Sequence, residues 1–272
     1  CQSNRFIDNS ANAFAITVNG TPSVQRFSPF NPTTSYTTAT IGGSGYFDGS
    51  GDYLSFANGT GFDVRTGDFT IECWVNPSST GEYGVVGNLT NNNGLVQWVI
   101  FVNHVSTNKQ VLFVYGTTGS YTGNVLVGGN SGTLPSNTWN HIAVTRSGTT
   151  IRVFLNGALV ATDTTGNSFY NNNPNSFFIG ACSDTSDPML GYISDVRVIK
   201  GTALYTSAFT PPTAPLTAVS GTSVLTSMTN AGIPDSAMMN DLETVSNAQV
   251  STTTSKFGTG SIKLNGTSDY LY

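Results

Sequence analysis

The stretch Gly67-Asp-Phe-Thr-Ile-Glu-Cys-Trp-Val75 shows the strictest alternation of side chains in the chain. Successive side chains of a β-strand point to opposite faces of the sheet, so this pattern predicts a strand with one buried face. The odd-numbered residues 69–75 would face the core, where Cys73 would be a free buried thiol. Glu72 lies on the opposite face and is expected to be solvated.

Further alternating segments follow on both sides, and turn-forming residues separate them. They cover residues 46–56, 83–89, 96–102, 111–115, 138–148, 150–157, 158–162, 177–180 and 191–199. Asn156-Gly157 between two apolar runs predicts a tight hairpin. Helix-favouring Glu and Lys are scarce, at three and four residues. The sequence therefore predicts an all-β protein, a two-sheet antiparallel jelly-roll sandwich.

Composition narrows the function classes. The 272 residues are 38% hydrophobic, which allows a large core, but only 9% are charged, against about 25% in ordinary soluble domains. A net charge of −5 and ten scattered cations argue against nucleic acid as a partner. No apolar run is long enough to span a bilayer, so membrane insertion is not expected. A surface of hydroxyls and amides is typical of an extracellular protein or a virion surface.

The chain contains an internal repeat. Gly43-Ser-Gly-Tyr-Phe-Asp-Gly-Ser-Gly-Asp-Tyr-Leu54 returns as Gly260-Ser-Ile-Lys-Leu-Asn-Gly-Thr-Ser-Asp-Tyr-Leu271, with six of twelve positions identical. This spacing predicts one complete unit over residues 1–217. Residues 218–272 would be the opening strands of a second repeat, or a segment that completes a neighbouring subunit. The expected partner is therefore the protein itself, in a tandem array or a homopolymer.

Three segments carry a resemblance to a known family. They are Asp68-Phe-Thr-Ile-Glu-Cys-Trp-Val75, Trp139-Asn-His-Ile-Ala-Val-Thr-Arg146 continuing through Val153-Phe-Leu-Asn-Gly157, and Gly191-Tyr-Ile-Ser-Asp-Val-Arg-Val198. In this order they resemble the laminin-G-like, or concanavalin A-like, jelly roll, over roughly residues 40–200. The tail, residues 198–215, is similar to linkers between such domains in bacteriophage structural and tail-fibre proteins, and its Pro- and Thr-rich end predicts an extended linker. The resemblance implies the fold, and it leaves glycan binding, protein binding, polysaccharide cleavage and a spacer role open.

The sequence argues against an enzyme. Glycosidases of this fold resemble one another in a Glu-x-Asp-x-Glu strand, and retaining hydrolysis needs two close carboxyl groups. Glu72, Glu82 and Glu243 are the only glutamates, and none has a carboxylate two or four positions later. His141 is interpreted as structural, with Ile142 on the opposite face. Asp195 and Arg197, two positions apart, could pair across one face, which more often fixes a strand than performs catalysis.

Calcium is the one candidate cofactor. Several relatives bind Ca²⁺ through loop aspartates and backbone carbonyls, which suit a hard cation. The candidate ligands are Asp48 and Asp52 in the Gly-rich loop, and Asp184 and Asp187 before Gly191. The alternative is ordinary turn chemistry, in which short polar side chains bond their own backbone. Cysteines at positions 1, 73 and 182 match no zinc spacing.

The sequence contains candidate sites for attached glycans and candidate residues for contacting bound sugars. Asn19, Asn58, Asn88 and Asn265 begin Asn-x-Thr patterns and are candidate glycosylation sites. Tyr83, Trp98, Tyr121 and Tyr170 lie in or near loops and are candidates for contacting bound sugars, although most aromatic residues are expected in the core. The sequence does not single out a binding face.

Two functions follow from these patterns. The first is a non-enzymatic structural module of an extracellular or virion filament, assembled from tandem or strand-donating units. The alternative is a glycan-binding, lectin-like adhesion domain of a phage tail fibre or a cell-surface protein.

Overall fold

The structure is a computed structural model that describes most of the chain. The described residues are 6–25, 27–30, 42–56, 59–90, 95–118, 123–170, 177–182, 186–226, 228, and short strands between 233 and 271. They contain no α-helix. Two antiparallel sheets form a sandwich, which confirms the predicted all-β jelly-roll class.

One sheet has seven strands in the order β1-β4-β13-β6-β7-β8-β9. Their bounds are β1 Ile16–Asn19, β4 Tyr53–Phe56, β6 Tyr83–Thr90, β7 Leu95–His104, β8 Lys109–Gly116, β9 Asn124–Ser131 and β13 Phe177–Ile179. Neighbours in this order pair antiparallel, as in β7 and β8, where Ile100 lies opposite Phe113.

The second sheet has eight strands. Seven follow the order β12-β11-β10-β5-β14-β3-β2, and β15 pairs with β14 beside this path. Their bounds are β2 Ser23–Gln25, β3 Ser44–Asp48, β5 Phe69–Pro77, β10 Asn140–Ser147, β11 Thr150–Leu155, β12 Ala158–Thr164, β14 Leu190–Lys200 and β15 Thr222–Thr226.

The core fills the space between the two sheets. It contains the inward residues of β5, including Cys73, whose thiol is free and fully buried. The predicted alternation of β5 is confirmed, because residues 69, 71, 73 and 75 are all in the core cluster. Trp98 lies in the same core, where its indole Nε1–H donates to the Phe62 carbonyl at 2.9 Å.

The predicted hairpin at Asn156-Gly157 is confirmed. β11 and β12 pair antiparallel across it, and both turn residues have positive φ, 51° for Asn156 and 79° for Gly157. Two consecutive positive φ values give the turn a twist that matches the flanking strands, which explains the Asn-Gly sequence.

Residues 201–217, here called the strap, run across the outer face of the eight-stranded sheet. Thr145 Oγ1 donates to the Tyr205 carbonyl at 2.7 Å, and Phe209 N–H donates to the Gly157 carbonyl at 2.9 Å. The Tyr205 and Phe209 rings stack with centroids 3.6 Å apart. The segment for which the sequence predicts an extended linker is thus held against the sheet by backbone and ring contacts.

After the strap, β15 returns to the sheet. It pairs with the second half of β14, while β3 pairs with the first half along the same edge. The Asp8 carboxylate accepts hydrogen bonds from Leu225 N–H at 2.9 Å and Ser10 N–H at 2.9 Å. The start of the described chain is therefore bound to a strand more than 200 positions later.

The second copy of the repeated motif forms the same strand pairs as the first. Val24 lies opposite Gly45 in the β2–β3 pair, and Val250 lies opposite Ile262 in a pair formed by Gln249–Ser251 and Ser261–Lys263. The β1–β4 pair places Val18 opposite Leu54, and its counterpart, Thr244–Val245 with Tyr270–Leu271, places Thr244 opposite Leu271. A third short pair joins Ile233–Pro234 to Asp241–Leu242. The boundary expected between residues 217 and 218 stays a prediction.

Candidate functional site

Four aromatic side chains meet on the outer face of the eight-stranded sheet. The set comprises Phe27, Tyr46, Trp139 and Tyr192, and is called the aromatic surface below. The centroid of the Tyr192 ring lies 4.8 Å from that of Phe27, 5.0 Å from that of Tyr46 and 6.4 Å from that of Trp139. Phe27 is 47% exposed, and the other three are half-buried. The arrangement offers ring faces to a ligand in solvent.

Strand register explains why these rings meet. Tyr192 of β14 lies opposite Tyr46 of β3 on one side and opposite Asn76 of β5 on the other. Trp139 directly precedes the Asn140–Val75 pair, so it flanks Asn76 from the β10 side. Residues opposite each other in antiparallel strands share a face. The sheet therefore places Asn76 between two rings.

Several polar atoms beneath the aromatic surface have no hydrogen-bond partner among the described residues. The Asn76 side chain is 1% exposed, and neither its Nδ2 nor its Oδ1 forms a hydrogen bond within the described part of the chain. The indole Nε1–H groups of Trp139 and Trp74 are also buried without an acceptor there. Most buried polar groups in proteins are hydrogen-bonded, so this cluster calls for an explanation.

A charged cluster lies next to the aromatic surface, under the strap. Glu72 Oε1 accepts from Arg197 Nη2 at 2.6 Å and from Nε at 2.9 Å. Glu72 Oε2 accepts from His141 Nε2 at 3.2 Å and from the Tyr205 hydroxyl at 3.0 Å. Trp74 packs edge-on against His141, at 5.0 Å between centroids, and connects the two regions.

The expectation that Glu72 is solvated was wrong. Its side chain has no exposure, because the strap covers the face to which alternation assigns it. Burial acts to raise the pKa of Glu72, but the hydrogen bond from His141 and the Arg197 charge outweigh it and hold the pKa below its usual value. Burial also raises the pKa of the Tyr205 hydroxyl, which keeps it a hydrogen-bond donor.

Asp195 and Arg197 do not form the pair that their spacing suggested. A β-bulge between Ser194 and Arg197 inserts a residue into β14, and Asp195 adopts a φ of 51°. Arg197 therefore faces Glu72, while Asp195 accepts from Leu216 N–H at 2.8 Å and the Ser194 hydroxyl at 2.7 Å. Burial raises the pKa of Asp195 to about 7.

The three aromatic candidates that the structure describes, Tyr83, Trp98 and Tyr170, lie away from this surface. Trp98 is fully buried and Tyr83 is 6% exposed, so both lie in the core, where most aromatic residues were expected. Tyr170 is half-buried, and Tyr121 lies outside the described residues. The residues that form the aromatic surface were missed. Alternation assigns Tyr46 of β3, Tyr192 of β14 and Trp139, just before β10, to an outer face, but strand order was needed to bring them together.

The candidate calcium ligands engage in turn hydrogen bonds. Asp48 Oδ1 accepts from Ser50 N–H at 2.7 Å, and Asp52 accepts from the N–H groups of Asp48 and Thr21. Asp187 accepts a hydrogen bond from the Cys182 thiol at 3.1 Å, and Asp184 lies outside the described residues. Across the described ranges, no three His, Cys, Asp or Glu side chains form a group able to hold a metal. Calcium binding stays a prediction.

Of the four glycosylation candidates, only Asn19 has a described side chain. It is half-buried at the end of β1, and its Nδ2 donates to Ser55 Oγ at 3.1 Å. Asn88 belongs to β6, and Asn58 and Asn265 lie outside the described residues. Glycosylation of these four residues stays a prediction.

The family follows from the sandwich and from a sequence match across it. A family model described as the concanavalin A-like lectin/glucanases superfamily matches residues 48–205. The chain belongs to this superfamily. The match contains β5 and β14, which hold Asn76 and Tyr192, and it contains Trp139, which directly precedes β10. The match ends within the strap.

Solved structures agree with the superfamily fold. A protein from Bacteroides ovatus assigned as carbohydrate-binding aligns over 72% of this chain and 54% of its own, with 19% identity and a TM-score of 0.51. The binding domain of botulinum neurotoxin serotype G aligns over 73% of this chain and 46% of its own, with 14% identity and a TM-score of 0.50. At this identity the likeness concerns the fold alone, and this chain spans about half the length of each.

Two comparisons are negative. No curated protein sequence matches this superfamily member. In the part of the chain that the structure describes, no helix combines the length and apolar character needed to cross a membrane.

Proposed function

We propose that the protein is a non-enzymatic, extracellular carbohydrate-binding domain, and that its ligand contacts the aromatic surface. The observation that carries this proposal is the set of four clustered rings, with Phe27 47% exposed and Tyr46, Trp139 and Tyr192 half-buried. Sugar rings carry apolar C–H faces that stack on aromatic side chains, and their hydroxyls bond to nearby polar groups. The carbohydrate-binding assignment of the Bacteroides ovatus protein supports the same class of ligand.

The Glu72 cluster supports a binding role better than a catalytic one. Its carboxylate is fully buried, and all of its described contacts are to His141, Arg197 and Tyr205. A general acid or nucleophile must reach the bond that it cleaves. The strap separates Glu72 from any substrate in solvent, so the cluster acts as a structural connection.

A glycan array with the wild-type protein, followed by calorimetry with the strongest ligand, tests the proposal. Trp139→Ala should weaken binding by about tenfold, since aromatic anchors dominate such contacts. Tyr170→Ala is the control, because Tyr170 is a half-buried ring outside the aromatic surface. Absence of any bound glycan, or equal losses in both variants, would contradict the proposal.

A second function, a structural unit of a tandem array or virion filament, is favoured by the repeated strand pairs. Residues 244–271 reproduce the register of β1–β4 and β2–β3. In the first unit, β3 and β4 pair further with β14 and β13, and the matching strands of the second copy have no such partner among the described residues. Strands left in this state tend to pair with another chain.

Light scattering of two chains tests this second function. The full chain should self-associate, and a chain that ends at Met228 should stay monomeric, since it keeps β15 and lacks the second copy. If both chains are monomeric at the same concentration, assembly through the second copy is ruled out.

A further inference from the structure

We propose that Asn76 is the polar anchor of a subsite for an uncharged sugar, and that Phe27 covers this subsite in the ligand-free protein. The inference rests on the proposed carbohydrate-binding function and deepens it. It assigns separate roles to residues of one surface: Trp139 and Tyr192 are the walls, Asn76 is the base and Phe27 is a displaceable cover.

The first step concerns the walls. β5 lies between β10 and β14 in the sheet, and strands two positions apart are separated by about 9.6 Å. The ring centroids of Trp139 and Tyr192 are only 6.4 Å apart. Both rings therefore lean over β5 from opposite sides, towards the position of Asn76. Together with Phe27, which packs against both of them, they explain how a polar side chain on an outer face is 1% exposed.

The second step concerns the base. Asn76 offers two N–H donors and a carbonyl acceptor, and none of them has a hydrogen-bond partner among the described residues. The Trp139 indole N–H adds a third unpartnered donor beside it. A buried polar group without a partner destabilises the folded state. Two adjacent sugar hydroxyls, each able to donate and accept, would satisfy an amide and an indole together.

The third step concerns the cover. The Phe27 ring packs against both walls, with its centroid 5.3 Å from that of Trp139 and 4.8 Å from that of Tyr192. It is nevertheless 47% exposed, so it is held on one side only. A phenyl ring and a pyranose ring are similar in size, and each presents an apolar face. Phe27 therefore occupies the place that a sugar ring would take against the two walls.

The chemical class of the ligand follows from the residues that line the subsite. Asn76, Trp139, Tyr192, Tyr46 and Phe27 are all uncharged, and the nearby Arg197 guanidinium is already paired with Glu72. An acidic sugar would lose water from its carboxylate without gaining a cationic partner. The subsite therefore suits an uncharged hexose or pentose unit.

Indole N–H signals in nitrogen–proton NMR spectra provide a direct test, because the chain contains three tryptophans. Titration of the wild-type protein with neutral oligosaccharides that bind on the array should shift the Trp139 signal. The Trp98 signal is the internal control, since its N–H already donates to Phe62 inside the core. Trp139→Phe and Trp74→Phe assign the three signals.

Two variants separate the roles. Asn76→Ala should fold as the wild type does and bind the neutral sugar about five- to tenfold more weakly, because one hydrogen-bonding anchor is lost. Phe27→Ala should bind about threefold more tightly, because the competing cover is gone. Acidic oligosaccharides should leave the Trp139 signal in place.

The outcomes are distinguishable. If no glycan binds the wild-type protein, the proposed function and this inference both fail. If glycans bind but Asn76→Ala keeps full affinity, or the Trp139 signal does not move, only the subsite is overturned. If Phe27→Ala binds more weakly than the wild type, Phe27 is part of the binding platform and the cover is overturned. If Asn76→Ala does not fold, the shift of the Trp139 signal and the affinity of Phe27→Ala test the subsite without it.

Discussion

At the scale of single residues, the environment of Glu72 shows how a buried charge is tolerated. A carboxylate removed from water is costly unless charges and hydrogen bonds replace its hydration. Arg197 supplies the opposite charge, and His141 and Tyr205 fill the remaining acceptor positions on Oε2. Arg197 Nη1 also donates a hydrogen bond to the Thr217 carbonyl at 2.7 Å. These bonds join β5, β10, β14 and the strap.

Replacing Glu72 should therefore destabilise the protein. Glu72→Gln leaves the Arg197 guanidinium buried without its counter-charge, so we expect a loss of about 3 kcal/mol in the free energy of unfolding. Urea denaturation measures this loss. Glu82→Gln is the matched control, because Glu82 is partly exposed and its pair with His104 spans 3.7 Å; its effect should stay below about 0.5 kcal/mol. Equal losses in the two variants would show that the buried contacts of Glu72 add nothing to the free energy of unfolding beyond those of Glu82.

Asp195 makes stability depend on pH near neutrality. Burial raises its pKa to about 7 in the folded protein, against about 3.9 in an unfolded chain. The stabilisation that protonated Asp195 gives the folded state is thus fully present below pH 4, and it is lost as the pH rises through 7. The Glu72 charge also raises the pKa of Asp195, while Arg197 and the bonds from Ser194 and Leu216 lower it.

We therefore expect the melting temperature of the wild type to fall between pH 5 and pH 8. Asp195→Asn mimics the protonated acid and should remove most of this fall, a difference on the order of 2–4 kcal/mol. Thermal denaturation of both proteins across this range provides the measurement. Parallel curves for the two proteins would refute the role of Asp195.

At the scale of elements, the β11–β12 hairpin supports the strap. The Gly157 carbonyl accepts from Phe209 N–H, and a Cβ added to Gly157 would lie 1.9 Å from the Phe209 carbonyl oxygen. Gly148, at the tip of the β10–β11 turn, also has positive φ, 60°, but a Cβ there meets nothing within 4 Å. The two glycines therefore separate backbone strain from contact with the strap.

Gly148→Ala should cost about 1 kcal/mol, the strain of a left-handed residue alone. Gly157→Ala adds a clash with the strap, and we expect a loss of about 3 kcal/mol together with faster proteolysis of residues 201–217. Chemical denaturation and limited proteolysis measure the two effects. Similar losses for both variants would show that the strap contact is dispensable.

The local sequence pattern predicted the strands well, but it did not predict which strand faces are covered by other segments of the chain. Alternation assigned Cys73 to the core and Glu72 to the other face of β5, because side-chain direction in a strand is a local property. Whether that outer face meets water depends on where the strap lies, and only tertiary contacts determine this. The bulge at Asp195 escaped prediction for a related reason, since an extra residue in one strand leaves no local mark on composition.

At the scale of the whole molecule, β15 completes the eight-stranded sheet by pairing with the second half of β14. All five residues of β15 are buried, and the Asp8 carboxylate and the Asp8–Asn12 segment bond to its outer side. The internal repeat indicated a boundary near residue 218, but repetition of sequence does not reveal which sheet a connecting strand joins. The aromatic surface is likewise a property of strand order, which brings residues 46, 139 and 192 together across three strands.

A chain that ends at Pro215 should therefore be much less stable than one that ends at Met228. The shorter chain loses Val224 and Leu225 from buried positions, which should lower the melting temperature by at least about 10 °C. Differential scanning calorimetry of the two chains measures the difference. Equal melting temperatures would mean that β15 adds nothing to the sandwich.

The place of β15 also has a consequence for how the protein is made. Half of one edge of β14 stays unpaired until Thr222–Thr226 has left the ribosome. The Asp8 carboxylate also lacks its bond to Leu225 N–H until then. At 5–20 residues per second, synthesis of the 217 positions that separate Leu225 from Asp8 takes roughly 11–43 s. Pairings so distant in sequence close slowly, because the intervening chain must first be ordered. During this interval the nascent sandwich exposes an unpaired strand edge, which favours association with other chains.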